Sequence, residues 1–403
     1  MKRKGNRLSR KEWLIRLWLK QAIGNREEAT GNKRGNFLFS AYCLLPIAYC
    51  LLAVVTVRGQ EKDWEQHWNQ TLAGARKEGA VVVVGSPDPV MRNEIIPKFK
   101  ARFGVPVEFL AGRSSEIVAR IRTERAAGIY SVDVFLSGPD TTATVLYPEK
   151  MLDPLRPLLV LPEVLEASKW KKGKPWFVDP EEKFILRPFI SVSSLLFINT
   201  DFVKPEEIRA AKDLLNPKWK GKISTEDPTT TGAGANLAAR FHHQLGADFV
   251  KKLYIEQRPV STRERRQFTD WLARGTQPIC LNCREDDVRP LEKEGFKLVE
   301  IFELTDLAPG INGSPWLMSV ANRAPHPNAA RLFVNWMASR EGIELYSRGY
   351  GSASLRTDVD ESFLNPGNIP RAGVRYFDDT DWSWVVTGRQ ENRDKVWKLL
   401  KSR

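Results

Sequence analysis

Short apolar runs alternate with stretches of helical periodicity in the first half of the chain. The runs at 80–85, 105–110 and 132–136 are rich in valine, phenylalanine and leucine, which is typical of strands buried in a parallel sheet. Between them, apolar residues such as Ile95 and Phe99 recur every three or four positions, as on one face of a helix. The order strand, helix, strand, helix, strand predicts an open α/β sheet.

The middle of the chain repeats this pattern between two extended apolar segments, 185–199 and 314–321. The predicted elements there are strands at 222–224, 278–281 and 296–302 and a helix at 262–274. Two extended crossings are what a hinged protein with two lobes requires, so an α/β fold with two lobes is predicted. The first lobe is predicted to be discontinuous, 60–188 with 316–403, and the second lobe is predicted at 189–315.

The first 59 residues have the order of basic and apolar stretches that is typical of a targeting segment, and they are excluded from the predicted fold. A basic stretch is followed by an uncharged apolar run at 37–57, which contains a short low-complexity repeat, AYCLLPI and then AYCLLA. This order predicts a signal peptide that is cleaved before Gln60. The apolar run is also long enough to remain as a membrane anchor. Either outcome predicts a periplasmic or other extracytoplasmic protein.

The formal net charge of +13 is concentrated in this leader. Residues 1–59 hold 12 Lys and Arg against 3 Asp and Glu, which leaves 50 against 46 in residues 60–403. A body that is nearly neutral argues against a basic surface for nucleic acid. No nucleic-acid partner is therefore expected.

Three segments resemble extracellular solute-binding proteins of the ferric-iron type. They read SSEIVARIRTERAAGIYSVDVFLSGPD at 114–140, DLLNPKWKGKISTEDPTTTGAGANL at 213–237 and APHPNAARLFVNWMASREGIELYSRGYGSASLRTDV at 324–359. The third segment is the most specific, because His-Pro-Asn-Ala-Ala followed by Ser-Arg-Glu-Gly is an uncommon combination. Together the matches cover most of 76–360.

The resemblance implies a type-2 periplasmic-binding fold, in which two lobes joined by two hinge crossings close around a ligand. It implies the substrate-binding component of an ABC import system. Such a protein captures a small molecule or ion in the cleft between its lobes and presents it to the membrane subunits of the importer. A monomer is expected, without a cofactor and without a resident metal.

One stretch departs from the family pattern. Ferric binders of this family carry adjacent tyrosines in the stretch that corresponds to 275–283, where this chain reads GTQPICLNC. Hard ferric iron prefers phenolate and carboxylate oxygens. We therefore expect a small anion or a metal chelate as the ligand rather than bare ferric iron.

The candidate ligand residues follow the predicted strands, because loops at the carboxyl ends of parallel strands and nearby helix N-termini bind ligands. These candidates are Ser86, Pro87, Arg113, Ser114, Ser115, Ser137, Gly138, Thr230, Thr231 and Gly232. Arg113 suits a carboxylate or an oxyanion, since a guanidinium donates two parallel hydrogen bonds. The alternative is that the serine and threonine side chains only cap the helices that follow.

The two crossings and the second lobe add further candidates. Ser191 and Ser193 either contact the ligand or face solvent at the hinge, and Trp316 either stacks on the ligand or packs at the hinge. The acidic candidates, which suit a cationic metabolite, are Asp88, Asp140, Glu285 and Asp286. Of these acidic residues, Glu285 is included in the predicted ligand site.

Cys280 and Cys283 are the only cysteines that follow the leader. Outside the cytoplasm, this C-x-x-C spacing fits a disulfide or buried thiols, a redox pair or half of a metal site. His242 and His243 are adjacent and point to different faces of a helix, so they do not both complete a zinc site.

The motifs of common enzyme classes are absent from the sequence. The chain has no G-x-S-x-G, H-E-x-x-H or Walker-type motif and only four histidines. A binding protein is therefore predicted rather than an enzyme. Two alternatives remain, an exported thiol-disulfide oxidoreductase that uses Cys280 and Cys283, and a sensory ligand-binding domain anchored by residues 37–57.

Overall fold

The computed structural model describes residues 64–230, 232–262, 264–313 and 315–401, without the side chains of residues 265 and 286. These residues belong to one compact unit, Trp64–Arg403. The predicted leader at 1–59, with its repeat, lies outside the described residues. Within the described part of the chain, no helix has the length and hydropathy that a bilayer crossing requires.

The described residues form helices and strands in a mixed order. The strands are β1 (Val81–Gly85), β2 (Val107–Ala111), β3 (Val134–Ser137), β4 (Leu152–Asp153), β5 (Ser191–Ser193), β6 (Leu196–Asn199), β7 (Ile223–Thr225), β8 (Val260–Ser261), β9 (Ile279–Cys280), β10 (Leu298–Ile301), β11 (Gly310–Asn312), β12 (Leu317–Ala321) and β13 (Phe377–Asp378). The longer helices are α1 (64–78), α2 (Ile96–Phe103), α3 (Ser114–Ala126), α4 (Ala233–Lys251), α5 (Arg265–Arg274), α6 (Glu285–Lys293), α7 (Pro327–Ala338), α8 (Arg340–Tyr350) and α9 (Arg389–Lys401).

The first sheet has five strands in the order β2–β1–β3–β12–β4. Strand β1 pairs in parallel with both β2 and β3, as the alternating pattern predicts. Strand β12 follows the middle segment in the sequence and pairs antiparallel with β3 and β4. Every residue of β1 is buried, which explains why this strand reads as a continuous run of valine.

Helices from both ends of the sequence cover this sheet. Phe99 of α2 packs against Phe333 and Trp336 of α7, with ring centroids 5.3 and 5.4 Å apart. All three rings are buried in one hydrophobic core. The first core is therefore built from segments that are more than 200 residues apart in sequence.

The second sheet has the order β10–β6–β9–β7–β8. Strand β7 pairs in parallel with β8 and β9, while β6 runs antiparallel to β9 and β10. Its core includes Ile198, Ile223 and Phe241, which are buried. The covering helix α4 is broken at Gly246, whose φ of 84° lies in the left-handed region that glycine tolerates.

A third, small sheet joins the two crossings. Strands β5 and β11 pair antiparallel, with Ser193 opposite Gly310 and Ser191 opposite Asn312, and β13 adds to β11 in parallel. Together with the two larger sheets, this arrangement confirms the two-lobed α/β fold with two hinge crossings. The second crossing lies at 310–312, just before the predicted 314–321, because most of that apolar segment forms β12 inside the first core.

The C-terminal segment does not stay with the first sheet. Helix α9 packs along α4, and its Val396 is buried in the core of the second sheet. The predicted lobe boundaries, 60–188 with 316–403 and 189–315, remain predictions. The position of α9 favours counting residues 389–401 with the second lobe.

Candidate functional site

Three loops line one edge of the first sheet. They follow β1, β2 and β3, which run in parallel and therefore place their carboxyl ends at the same edge. Ser86 and Pro87 in the first loop are exposed. The structure thus brings together three of the predicted ligand loops.

The carboxylate of Asp88, in the same first loop, forms hydrogen bonds within the protein. Its Oδ1 accepts hydrogen bonds from the backbone N–H groups of Val90 and Met91, at 2.8 and 3.2 Å. Its Oδ2 accepts the hydroxyl of Tyr346, and burial together with this carboxylate raises the pKa of that tyrosine. Asp88 therefore acts as a helix cap and a core contact.

The second loop presents a polar group, the Arg113 guanidinium, that has no partner among the described residues. Arg113 precedes α3 with an extended backbone and an exposed side chain. Its guanidinium forms no hydrogen bond or ion pair with the described residues. Ser114 and Ser115 begin the helix, which has no side-chain cap. The capping alternative therefore does not apply at this helix start.

The third loop is partly enclosed. Ser137 is buried at the end of β3, and the carbonyl of Gly138 accepts hydrogen bonds from the backbone and the hydroxyl of Thr142, at 3.1 and 2.9 Å. Asp140, in the turn that follows, forms ion pairs with Arg389 and Arg393 of α9. This loop therefore contacts a helix that packs on the second sheet.

In the second sheet, the loop after β7 forms a local turn before α4. The hydroxyl of Thr230 donates to the carbonyl of Asp227 at 3.2 Å. Gly232 directly precedes α4, and Glu226 accepts the N–H of Gly234 at 3.2 Å. Thr231 lies outside the described residues. One of the free N–H groups at this helix start is thus already occupied by a carboxylate.

Glu285 opens helix α6 and is half-buried. Its Oε1 accepts Nε of Arg289 at 2.6 Å, and its Oε2 accepts Nδ2 of Asn368 at 3.1 Å. Glu300 of β10 lies nearby, and burial followed by the Glu285 charge raises the pKa of Glu300 to about 7. The predicted ligand residue Glu285 therefore contacts Asn368, which lies in the C-terminal part of the chain.

The candidates at the hinge have partners inside the protein. Ser191 Oγ accepts the N–H of Ala353 at 3.0 Å, and Ser193 Oγ accepts Nδ2 of Asn312 at 2.6 Å. Trp316 is buried, and its ring lies 5.1 Å from those of Phe189 and Tyr346. These contacts favour packing at the hinge over ligand stacking for Trp316, and they give both serines structural hydrogen bonds.

The two sheets approach each other at Arg393. Its Nε donates to Oδ1 of Asn236 in the first turn of α4 at 2.9 Å, and its Nη2 lies 3.4 Å from Oδ2 of Asp140. The loop after β3 and the start of α4 are thus brought to one side chain. Arg389 and Arg393 were not among the predicted ligand residues. Their spacing of four residues on a basic helix is the only sequence signal, and many exposed helices share it.

The cysteine pair is oxidised. Cys280, the last residue of β9, forms a disulfide with Cys283, two residues before α6 begins. The pair thus joins the end of a strand to the loop that leads to Glu285. Among the described residues, no group of three or more His, Cys, Asp and Glu side chains is arranged to hold a metal ion.

Comparison with known proteins assigns the chain to a family. The profile of the bacterial extracellular solute-binding proteins matches residues 94–367, more than half of the sequence. The chain belongs to this family. It is the solute-binding component of an ABC import system, and no observation favours the alternative of a thiol-disulfide oxidoreductase.

Two curated proteins resemble this solute-binding protein in sequence. Iron uptake protein A1 of Synechocystis is 27% identical over 131 residues, which are 32% of this chain and only 33% of that protein. An uncharacterised protein of Haemophilus influenzae is 24% identical over 296 residues, 71% of this chain and 80% of that protein. The chain thus spans a third of the first relative and four fifths of the second.

Solved structures share the fold. The periplasmic binding protein AfuA of Actinobacillus pleuropneumoniae, with fructose-6-phosphate bound, has a TM-score of 0.59 and 19% identity, covering 81% of this chain and 99% of that one. FutA of Trichodesmium, in complex with iron and citrate, has a TM-score of 0.58 and 16% identity, covering 80% and 98%. The ferric binding protein of Campylobacter jejuni has a TM-score of 0.59 and 16% identity, covering 80% and 100%.

Proposed function

We propose that this solute-binding protein captures a small anion, or a metal ion carried by an anionic chelator, between its two lobes. The observation that carries the proposal is Arg113. Its exposed guanidinium has no partner among the described residues and lies at the ligand edge of the first sheet, beside the uncapped N-terminus of α3. A guanidinium and free N–H groups at a helix start both favour negative charge.

The structural relatives support the same ligand class. AfuA was solved with fructose-6-phosphate, and FutA of Trichodesmium with iron and citrate. A sugar phosphate and citrate both present anionic oxygens to the protein. The segment that corresponds to the adjacent tyrosines of ferric binders carries Cys280 and Cys283 here, joined in a disulfide. A chelated metal fits these residues better than a bare ferric ion.

The mechanism follows from the hinge. Ligand binding exchanges bound water for fixed groups of both lobes, and a ligand that contacts both lobes favours the closed arrangement over the open one. The paired hinge strands β5 and β11 connect the lobes. Closure then distinguishes the loaded protein from the empty one for the membrane subunits of the importer. No chemical step is required, so the protein acts as a monomeric receptor and not as an enzyme.

The location follows from the family and from the leader. The protein belongs to the extracellular solute-binding proteins, and the order of residues 1–59 fits an export signal. The proposal is cleavage before Gln60. Intact-mass measurement of the protein purified from whole cells should give an N-terminus at or near Gln60. A mass that still includes residues 37–57 would favour the membrane-anchored sensory domain instead.

The binding proposal is tested by thermal unfolding of residues 60–403. A ligand that binds only the folded state raises the melting temperature in a saturable way, so the protein is screened against carboxylates, phosphate, ferric citrate and amines. Anions should raise the melting temperature and amines should not. Loss of the shift in Arg113→Ala, with the shift kept in Arg120→Ala, is the expected pattern. Arg120 is the matched control, because it lies on the helix that follows Arg113 and pairs with Glu124.

A shift produced only by amines would contradict the proposal and would assign the ligand to the acidic side of the cleft. An Arg113→Ala protein that keeps the full anion shift would remove Arg113 from the site. In that case the anion would have to bind elsewhere between the lobes.

A further inference from the structure

The C-terminal helix carries two arginines that converge on one carboxylate. Nη1 of Arg389 donates to Oδ1 of Asp140, and Nη2 of Arg393 lies 3.4 Å from Oδ2 of the same residue. Each guanidinium thus contacts a different oxygen. Two guanidiniums around one carboxylate form the arrangement that proteins use to bind carboxylate and phosphate groups.

Contacts other than Asp140 hold both arginines in place. Nη2 of Arg389 donates to the carbonyl of Asp379, and Nε of Arg393 donates to Oδ1 of Asn236 at 2.9 Å. The side chain of Arg389 is only 7% exposed and that of Arg393 is 19% exposed, whereas that of Asp140 is 47% exposed. The arginine pair is therefore prearranged, and Asp140 is the most exposed of the three residues.

The two partners belong to different sides of the cleft. Asp140 follows β3 at the ligand edge of the first sheet, while Arg389 and Arg393 lie on α9, which packs on α4 of the second lobe. Any movement that separates the lobes pulls the carboxylate away from the guanidiniums. An anion could then take its place beside the first turn of α4, where the positive end of the helix adds to the attraction.

Further arginines and carboxylates surround this pair. Arg187 and Arg240 are buried near this cluster and face Asp378 and Asp379. With Arg389, Arg393 and Asp140 included, the group holds four arginines and three aspartates, and Glu226 adds a fourth carboxylate at the start of α4. The Nε of Arg240 has no hydrogen-bond partner among the described residues. A buried guanidinium nitrogen without an acceptor costs free energy, so this group favours an additional hydrogen-bond acceptor.

We propose that Arg389, Arg393 and the first turn of α4 form an anion subsite of the ligand cleft, and that the carboxylate of Asp140 occupies this subsite in the ligand-free protein. This inference rests on the proposed function, because it names the group of the solute that the second lobe recognises. The solute would carry a phosphate or carboxylate group that displaces Asp140. Residues 389 and 393 lie beyond the family match at 94–367.

The test uses titration calorimetry with inorganic phosphate and with citrate, and glucose serves as the neutral control. Asp140→Asn removes the internal competitor without changing side-chain shape. It should bind the anions about tenfold more tightly than the unchanged protein, as expected for loss of a competing partly buried ion pair. Arg393→Gln should bind them about tenfold more weakly. The sign of the effect thus differs between the two partners of one ion pair.

A purely structural ion pair gives a different result. If the pair only fastens α9 to the first lobe, both substitutions change affinity in the same direction, or neither does, and the inference is overturned. Unfolding curves of both variants show whether each is folded. A third variant, Arg389→Gln, repeats the test at the other guanidinium and must follow Arg393→Gln.

The outcome is separable from that for Arg113. If Arg113→Ala abolishes anion binding while Asp140→Asn has no effect, the receptor proposal stands and the subsite falls. If the α9 and Asp140 variants respond while Arg113→Ala does not, the subsite stands and the Arg113 site falls.

Discussion

At the scale of single residues, the buried side chain of Arg187 connects the two hinge crossings. Arg187 is fully buried, and its Nη1 donates to both carboxylate oxygens of Asp378, at 2.9 and 2.7 Å. Its remaining nitrogens donate to the carbonyls of Phe189 and Asn312, at 3.1 and 2.8 Å. Burial lowers the pKa of Arg187, and Asp378 opposes this change. One side chain thus joins both crossings and the C-terminal segment.

Arg187→Met should therefore lower the free energy of unfolding strongly, by about 3 kcal/mol, because it leaves Asp378 and two carbonyl groups without their cation. Urea unfolding at neutral pH measures the change. Arg120→Met is the control, since Arg120 forms an exposed ion pair with Glu124 on one helix and such pairs contribute little. Equal losses in the two variants would mean that the hinge network does not stabilise the fold.

At the scale of elements, the turn between α7 and α8 explains the Ser-Arg-Glu-Gly motif. The hydroxyl oxygen of Ser339 accepts the N–H of Gly342 at 3.3 Å, which caps the second helix. A Cβ on Gly342 would lie 2.2 Å from the carbonyl oxygen of Trp336 and 2.9 Å from Cα of Met337. The motif therefore combines a helix cap with the one residue that lets the two helices meet closely.

Gly342→Ala should accordingly destabilise the protein by roughly 2 kcal/mol, because backbone atoms of α7 must move to admit the methyl group. Thermal or urea unfolding measures the loss. The control is Arg340→Ala, two residues earlier at an exposed position that pairs with Glu344. A Gly342→Ala protein as stable as the control would show that the two helices can separate at little cost.

At the scale of the whole molecule, the C-terminal part of the chain contacts both lobes. After α8, Asn365 and Asn368 reach Glu300 and Glu285 of the second lobe, at 3.4 and 3.1 Å. Beyond β13, Arg389 returns to Asp140 of the first lobe. The C-terminal segment thus links the lobes in addition to the hinge crossings. One of its links involves the carboxylates of Glu300 and Glu285.

The carboxylate of Glu300 in this link should make the stability of the protein depend on pH. Burial raises the pKa of Glu300 to about 7 in the folded protein, above the ordinary value of 4.5 for the unfolded chain. The folded state therefore binds the proton more tightly, and the stability that this proton contributes is present below about pH 4.5. It declines as the pH rises and is lost above pH 7.

Glu300→Gln, which stays neutral, should therefore be more stable than the unchanged protein at pH 8, by on the order of 2 kcal/mol. The difference should shrink at pH 5, which provides the internal control. Urea unfolding at the two pH values measures both. A stability gain at pH 5 as large as that at pH 8 would show that Glu300 does not titrate in this range.

The sequence by itself determined the periodic features of this protein. Continuous valine runs such as 81–84 and helical spacing around Phe99 fixed the α/β class, because strand and helix periods are local properties. Loops after parallel strands lie at one edge in any such sheet, so Arg113 could be selected as a ligand residue. The sequence placed Cys280 and Cys283 three residues apart and left a disulfide, a redox pair and half of a metal site open, and the structure joins them in a disulfide.

Only the tertiary structure decided which polar groups remain free for a ligand. Asp88, Ser191 and Ser193 read as candidates, yet each has a partner that is more than 100 residues away in sequence. Arg389 and Arg393 read as an ordinary basic helix, yet they meet Asp140 about 250 residues earlier in the chain. Hydrogen bonds and ion pairs between distant segments produce no periodic pattern in the sequence, because they depend on how the lobes and the C-terminal segment pack together.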